Sequence, residues 1–460
     1  MINLKQTFSP LAGWIIALSS SFINILILLH YQFKTGGDFP FQDEWGYVER
    51  LTHLHQVGFL HYLFDHYQVY YIPGLFFIWY IFFKFFHLSI MAIRYTGVAT
   101  SAIASLVICI LVLRQKKQFR FFELVLLGAI PFVFCSLNHF ATYNQSIESI
   151  IEPLLFFFII LACWAGQKMM GEELNSKWPW VGAIVLFAYF GLSMYAPALS
   201  ILIAIAIARG LLLKKIDMPT LVLGFLGFAS GLVYSFLGKG TVGIGLLKVS
   251  LTKIISEWIM LFGNSIIAIG DHKTLIHLGN SEEFNAHQIF AFTGGAIIIV
   301  ILILSMVQTI FAPAKEGVRY FVPFALALYT FGVSLEIALK FNDPNFGEVP
   351  RYAIHMLGGP IAILVWGILV SQRLQKIMTL GILYIFFGTI FIFFSVEANL
   401  PYFRFSFETI RTELKNIRGP ITASQQKKIF VNPPLMDFVY PDLQFMRANR
   451  LALFDKDSKK

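Results

Sequence analysis

The sequence predicts an all-α integral membrane protein with about eleven transmembrane helices, and three observations predict it. Of the 460 residues, 57% are hydrophobic and only 13% are charged, whereas a soluble domain is nearer a quarter charged. The mean hydropathy is +0.70, and apolar runs of crossing length recur along the whole chain rather than at one anchor. The basic residues fall in short loops between those runs, which is the pattern that the positive-inside rule produces. That pattern accounts for the formal net charge of +9, so nucleic acid is not an expected partner.

A helix needs roughly 20 apolar residues to cross a hydrocarbon core of ~30 Å. The segments that qualify are 10–30, 94–113, 121–138, 149–165, 179–195, 196–211, 218–237, 288–311, 321–340, 353–370 and 378–397. The first follows Lys5, is long for a signal-peptide core and has no small-x-small cleavage site after it, so it reads as an uncleaved span. Cys109, Cys135 and Cys163 lie inside apolar runs without metal-ligand spacing and read as small buried hydrophobes.

Two further apolar segments are short or polar: Ile72 to Phe86 carries Lys84, and Ile254 to Gly270 carries Glu257, Gly263 and Asn264. Charge decides their topology. If neither crosses, the basic loops Arg114/Lys116/Lys117/Arg120, Arg209/Lys214/Lys215, Lys315/Arg319 and Arg373/Lys376 all fall on the cytoplasmic side with the N-terminus. Both segments are therefore expected to lie at the outer surface or to dip in and back. The chain then divides into a multi-pass region 1–397, with a long first outer loop at 31–93, and an outer-face tail 398–460.

The first outer loop begins Gly36-Gly37-Asp38-Phe39-Pro40-Phe41-Gln42-Asp43-Glu44-Trp45-Gly46-Tyr47. Trp45, Val48, Leu51 and Leu54 then recur on one helical face, which predicts a helix lying on the bilayer with two carboxylates at its start. A helix N-terminus favours negative charge. An ordinary N-cap is the plain alternative for Asp43.

In these residues the sequence resembles the GT-C class of membrane glycosyltransferases, in the branch of protein O-mannosyltransferases and the lipid A aminoarabinose transferase. Asp43-Glu44-x-x-Tyr47, Gly58, Ile72-Pro73-Gly74-Leu75 and Ile93-Arg94-Tyr95 follow the order of that branch, in which a Pro-Pro-Leu-like turn comes before an arginine that opens the next span. Ser149-Ile150-Ile151-Glu152-Pro153 and Val349-Pro350-Arg351-Tyr352 match later positions. The chain departs from the pattern where Tyr70 and Tyr71 stand in place of a lysine, and where Glu44 stands for the commoner aspartate.

The resemblance implies an outer-face enzyme of a bacterial-type plasma membrane. It would move a sugar from a polyprenyl-phosphate donor to a lipid, glycan or protein acceptor, with inversion. The general base is expected at Asp43, with Glu44 as its partner or the base itself and Asp38 as a weaker candidate. Glu148 and Glu152, four residues apart on one helix face, form a second acidic site, either orienting the acceptor or paired with Arg94 or a hydrated cleft. Asp43 and Glu152 would be the ligands of a divalent ion, Mg or Mn, if one is used. Donor-phosphate contacts are expected from Arg351 with Tyr352, from Arg94 and from Lys84. Snorkelling at the interface is the alternative for Arg351, and anchoring of a short helix for Lys84. His66 and Tyr47 are the candidate acceptor contacts. His53 and His55 do not share a helix face, which argues against zinc.

Two other classes remain. A lipid-linked saccharide transporter or flippase would keep charged sites near the middle of its spans, as Glu336 is placed. An O-antigen polymerase or ligase would use a late outer loop such as 238–287, which holds Asp271-His272-Lys273.

Overall fold

Where the chain starts fixes which loops share an end. Thr7–Phe8 (β1) pairs antiparallel with Phe119–Arg120 (β2), so the N-terminal segment and the basic loop 114–120 lie together. A computed structural model describes residues 7–40, 44–64, 72–137, 146–171, 174–193, 196–237, 250–267, 281–341, 354–370, 372–429 and 439–454. Apart from that two-residue pairing, the described residues form a helical membrane protein. Helices Pro10–Thr35 (α1), Ile90–Gln115 (α5), Glu148–Met170 (α7), Ile289–Phe311 within α12 and Phe321–Leu339 within α14 are long and apolar enough to cross a membrane.

Local signals explain the helix ends. Pro10 opens α1, where a missing N–H costs nothing. Glu44–Val57 (α2) and Phe59–Phe64 (α3) are separated by Gly58, whose φ of +81° only glycine adopts without strain. Pro73 opens Pro73–Phe86 (α4). Ser89 caps α5 by accepting from the Ala92 amide at 3.3 Å. Phe121–Phe134 (α6) begins with Glu123 accepting from the Arg120 amide at 2.8 Å.

Trp178–Leu192 (α8), Ser200–Leu213 (α9) and Met218–Leu237 (α10) follow α7 as shorter apolar helices. After them come Leu251–Ile267 (α11), Ser281–Phe311 (α12), Ala314–Arg319 (α13), Phe321–Phe341 (α14) and Gly358–Leu369 (α15). Gln372–Asn416 (α16), Ala423–Ile429 (α17) and Val439–Ala448 (α18) complete the chain. α16 runs without a break past 397, through Pro401, so the apolar segment and the start of the polar tail form one rod.

The ends that carry basic loops are tied to one another. The Lys116 ammonium donates to the Ile368 carbonyl at 2.6 Å, and the Gln167 amide donates to the Val318 carbonyl at 2.9 Å. Asp217 accepts from Lys177 at 3.0 Å, from buried Arg209 at 2.8 Å and from Thr220. Burial pushes the Asp217 carboxyl up. Thr220, Lys177 and Arg209 outweigh that and hold it well below the usual carboxylate range.

α11 shows what the second short segment does. Its Gly263 meets the backbone of Ala291, and Gly295 of α12 meets the backbone of Ile259, so the two helices cross antiparallel and close. The start of α11 therefore lies level with the middle of the apolar stretch of α12, and the helix dips into the bundle. There Glu257 and Phe262 are buried, and the Trp258 indole donates to Ser334 at 2.7 Å. A side chain at Gly295 has no room, because the atom it meets is backbone carbonyl. Gly295→Val is expected to cost ~1–3 kcal/mol of overpacking and to lower the thermal midpoint in detergent. An unchanged midpoint would show that the crossing gives way freely.

The first short segment forms α4, whose Leu75, Phe76 and Trp79 are buried in the protein. α2 corrects an expectation. Trp45, Val48, Leu51 and Leu54 do share a buried face, but protein covers it, from α4 and from α18 at the far end of the chain. An apolar stripe needs any dry partner, and here the tail supplies what lipid was expected to. The tail is fastened elsewhere too: Phe445 stacks on Phe83 with ring centroids 6.1 Å apart, and the Ala452 amide donates to the His87 carbonyl at 2.8 Å.

Candidate functional site

The bundle end opposite the basic loops gathers the polar groups that the sequence singles out. The C-terminal end of α1, the loop 36–40, and the first turns of α2, α5 and α7 all meet there. Two glycines permit the approach. A side chain on Gly36 would strike Met91 of α5, and one on Gly97 would strike Ser149 of α7.

Asp38 and Glu44 each hold a helix start. Asp38 accepts from the Met91 amide at 3.2 Å and from the Ser89 hydroxyl at 3.4 Å, both at the start of α5. Glu44 is 1% exposed; one of its oxygens accepts from the Ser146 hydroxyl at 2.5 Å and from the Ile147 amide at 3.2 Å, just before α7. Ser149 in turn donates to the Ser146 carbonyl at 2.5 Å. A carboxylate at a helix N-terminus satisfies amides that have no partner within the helix and complements the dipole. Glu44 thus joins the first loop to α7 across about a hundred residues of sequence.

Arg94 sits among these groups in the first turns of α5, fully buried, with Glu44, Tyr31, Asp38 and Tyr95 as its ionisable neighbours. Its guanidinium lies 5.5 Å from the centre of the Phe407 ring, and Phe407 also packs on Phe39 at 5.9 Å. Phe407 belongs to the extension of α16 beyond 397, so the tail forms a roof over the arginine.

Farther into α7, buried Glu152 faces buried His355, with Oε1 and Nε2 3.7 Å apart. His355 lies in the single turn Ile354–Met356 ahead of α15. Glu148, one turn before Glu152, is half-buried. Tyr47 is buried against Phe76 and Trp79, inside the packing of α2 on α4. Lys84 is exposed near the end of α4. Glu336 is exposed on α14, within electrostatic reach of buried Tyr329. Asp43, His66, Arg351 and Tyr352 lie outside the described residues, as do 138–145 and Asp271-His272-Lys273.

The structure therefore brings together Glu44, Arg94 and Asp38 and, on the same helix that Glu44 caps, Glu148 and Glu152. It adds Ser146, His355 and Phe407, which the sequence reading did not name, and it gives Ser149 a bond to the Ser146 carbonyl. A histidine inside an otherwise apolar run was the available signal for His355. Phe407 had none, because its role depends on where the tail docks. For a divalent ion, no three carboxylate, histidine or cysteine side chains converge among the described residues. Of the two expected ligands, Glu152 faces His355 and Asp43 lies outside the described residues.

The tail that roofs the site carries its own titratable group. Asp442 of α18 is 1% exposed, with one carboxyl oxygen buried and without a hydrogen-bond partner among the described residues. Burial, with repulsion from Glu49 of α2, pushes its carboxyl up to about 8. The ordinary unfolded value is ~3.9. The docked tail thus binds a proton that the free tail does not, and docking is strongest below pH ~4 and weakens as pH rises through about 8. Hydrogen exchange of the 439–448 amides, compared with Asp442→Asn at each pH, is expected to show protection falling with pH in the natural protein only. Parallel profiles would refute this.

Comparison with family models finds no match, and comparison with curated proteins finds no relative.

Proposed function

We propose that the chain is a GT-C-like glycosyltransferase with about eleven spans, transferring a sugar from a polyprenyl-phosphate donor to an envelope lipid, glycan or protein. One observation carries the reading. The end of the bundle opposite the basic loops holds a buried arginine and carboxylates from the first loop and from α7, below a roof from the tail. By the positive-inside rule the basic loops face the cytoplasm, so this end faces outward. A lipid phosphate at that depth would present its sugar to these groups.

Glu44 is already used as an acceptor for α7, which leaves Asp43 as the general base. The acceptor oxygen attacks the anomeric carbon, and its proton passes to the Asp43 carboxylate. The bond from that carbon to the phosphate oxygen breaks, its electron pair leaves with the phosphate, and the configuration inverts. Arg351 with Tyr352 meets the departing charge. Arg94 is a positioning residue that holds Glu44 and Asp38 in place. Tyr47, buried in packing, shapes the acceptor side rather than lining it, and His66 is the remaining acceptor candidate.

A second reading has one observation in its favour. Glu257 is buried in a helix that reaches only part of the way along its neighbour, which is how transporters build mid-membrane sites. Mass spectrometry of envelope glycans in a strain lacking the gene separates the two. Loss of one sugar, with its polyprenyl-phosphate donor accumulating on the outer leaflet, is expected of a transferase. Accumulation of the donor on the inner leaflet would identify a flippase and overturn the proposal.

A further inference from the structure

The basic-loop end contains a cavity of about 600 Å³ between α6, α12, α13 and α15, far from the groups described above. Lys116, Arg120 and Arg319 line it, against Glu123 and Glu316. Glu123 is committed to Lys116, at 2.6 Å. Burial draws the Lys116 ammonium below its usual range and Glu123 opposes this, while Arg319 and Arg120 repel it further. The three cations are therefore near enough to feel one another. Glu316 is exposed at the rim. Gathering like charges costs energy that a bound anion would recover.

Two more features of the lining point to a ligand. Arg319, one of the lining cations, has a buried Nε with no hydrogen-bond partner among the described residues. A buried donor left unmade is costly, so a ligand oxygen there would be favoured. Gln308 and Thr309 add polar groups. From the cavity an uncovered apolar stripe runs along α12 through Phe311, Val307, Leu304 and Val300, all exposed and spaced three or four residues apart.

We infer that this cavity binds a phosphate group, held by Arg120 and Arg319. Two sources share that chemistry: the head group of an anionic lipid, whose chain would follow the α12 stripe, and free phosphate from solution. The site is independent of the proposed transferase chemistry and of which face of the membrane the basic loops occupy.

The test uses the purified full chain in detergent. Dioleoylphosphatidylglycerol and inorganic phosphate are titrated separately and together, and bound species are counted by native mass spectrometry. The natural protein is expected to hold one copy tightly. Arg120→Gln and Arg319→Gln are each expected to weaken it at least about tenfold, from loss of a charge-assisted hydrogen bond. Lys117→Gln, which removes an exposed charge outside the lining, should change nothing. If the arginine variants do not fold, Arg120→Lys and Arg319→Lys keep the charge and lose the forked geometry, and they should also weaken binding. Phosphate that displaces the lipid with the same arginine dependence names the soluble source, whereas lipid held against excess phosphate names the head group. No bound copy, no weakening in any cavity variant, or equal weakening in Lys117→Gln overturns the inference.

Discussion

Asp43→Asn is expected to lower sugar transfer ~100-fold to 10,000-fold, the range for loss of a general base, while the amount of protein in the membrane stays the same. The asparagine keeps the shape and the hydrogen-bonding oxygen but cannot take a proton. The stability half of the expectation follows from what the neighbouring carboxylate does. Glu44 binds the start of α7 and lies beside Arg94, so the local fold rests on Glu44. Glu44→Gln should show the reverse profile. It keeps an acceptor for Ser146 and Ile147 and loses the charge facing Arg94, so stability falls more than turnover does. The measurement is complementation of a deletion strain with each variant at matched membrane levels, followed by glycan mass spectrometry. Full restoration by Asp43→Asn would remove Asp43 as the base and with it the reading of the first loop as catalytic.

The spans were legible because crossing a membrane forces long apolar runs, and those runs need no partner to be recognised. α1, α5, α7 and the apolar parts of α12 and α14 fall where the runs lie. The shared face of Trp45, Val48, Leu51 and Leu54 was legible for a similar reason, since helical periodicity is local. What covers that face was not. α18 lies nearly four hundred residues away, and neither its apolar residues nor Asp442 signal the docking. The same limit applies to the site. Carboxylates near a span edge stand out by cost, which singled out Glu148 and Glu152, and Glu44 stood out in the acidic pair that opens the loop helix. Their uses depend on Ser146, His355 and Phe407, ordinary residues whose meaning is only where they arrive. The polar α11 could be placed at one end of the bundle by charge. Its depth is set by the Gly263 and Gly295 contacts, which no composition reveals.

The largest stability effect is expected at Arg94. The residue is fully buried and its charge faces Glu44 and Asp38, each of which also holds a helix start. Removing one partner of a buried ionic group leaves the others uncompensated, at a cost of ~3–5 kcal/mol. That is a large share of the ~5–15 kcal/mol that holds a domain together. Arg94→Gln should therefore lower both the folded yield and the thermal midpoint in detergent. The double variant Arg94→Gln with Glu44→Gln should recover part of the loss, because the carboxylate that needed the cation has gone. A residue that only contacted donor phosphate would behave otherwise: Arg94→Gln would keep its midpoint and raise KM for the donor, and the Glu44 change would rescue nothing. Arg94→Lys separates charge from shape, since an ammonium keeps the charge but cannot present a planar face to Phe407. Partial stability with an unfastened tail, seen as raised hydrogen exchange around 404–411, is the result expected if the roof rests on the guanidinium.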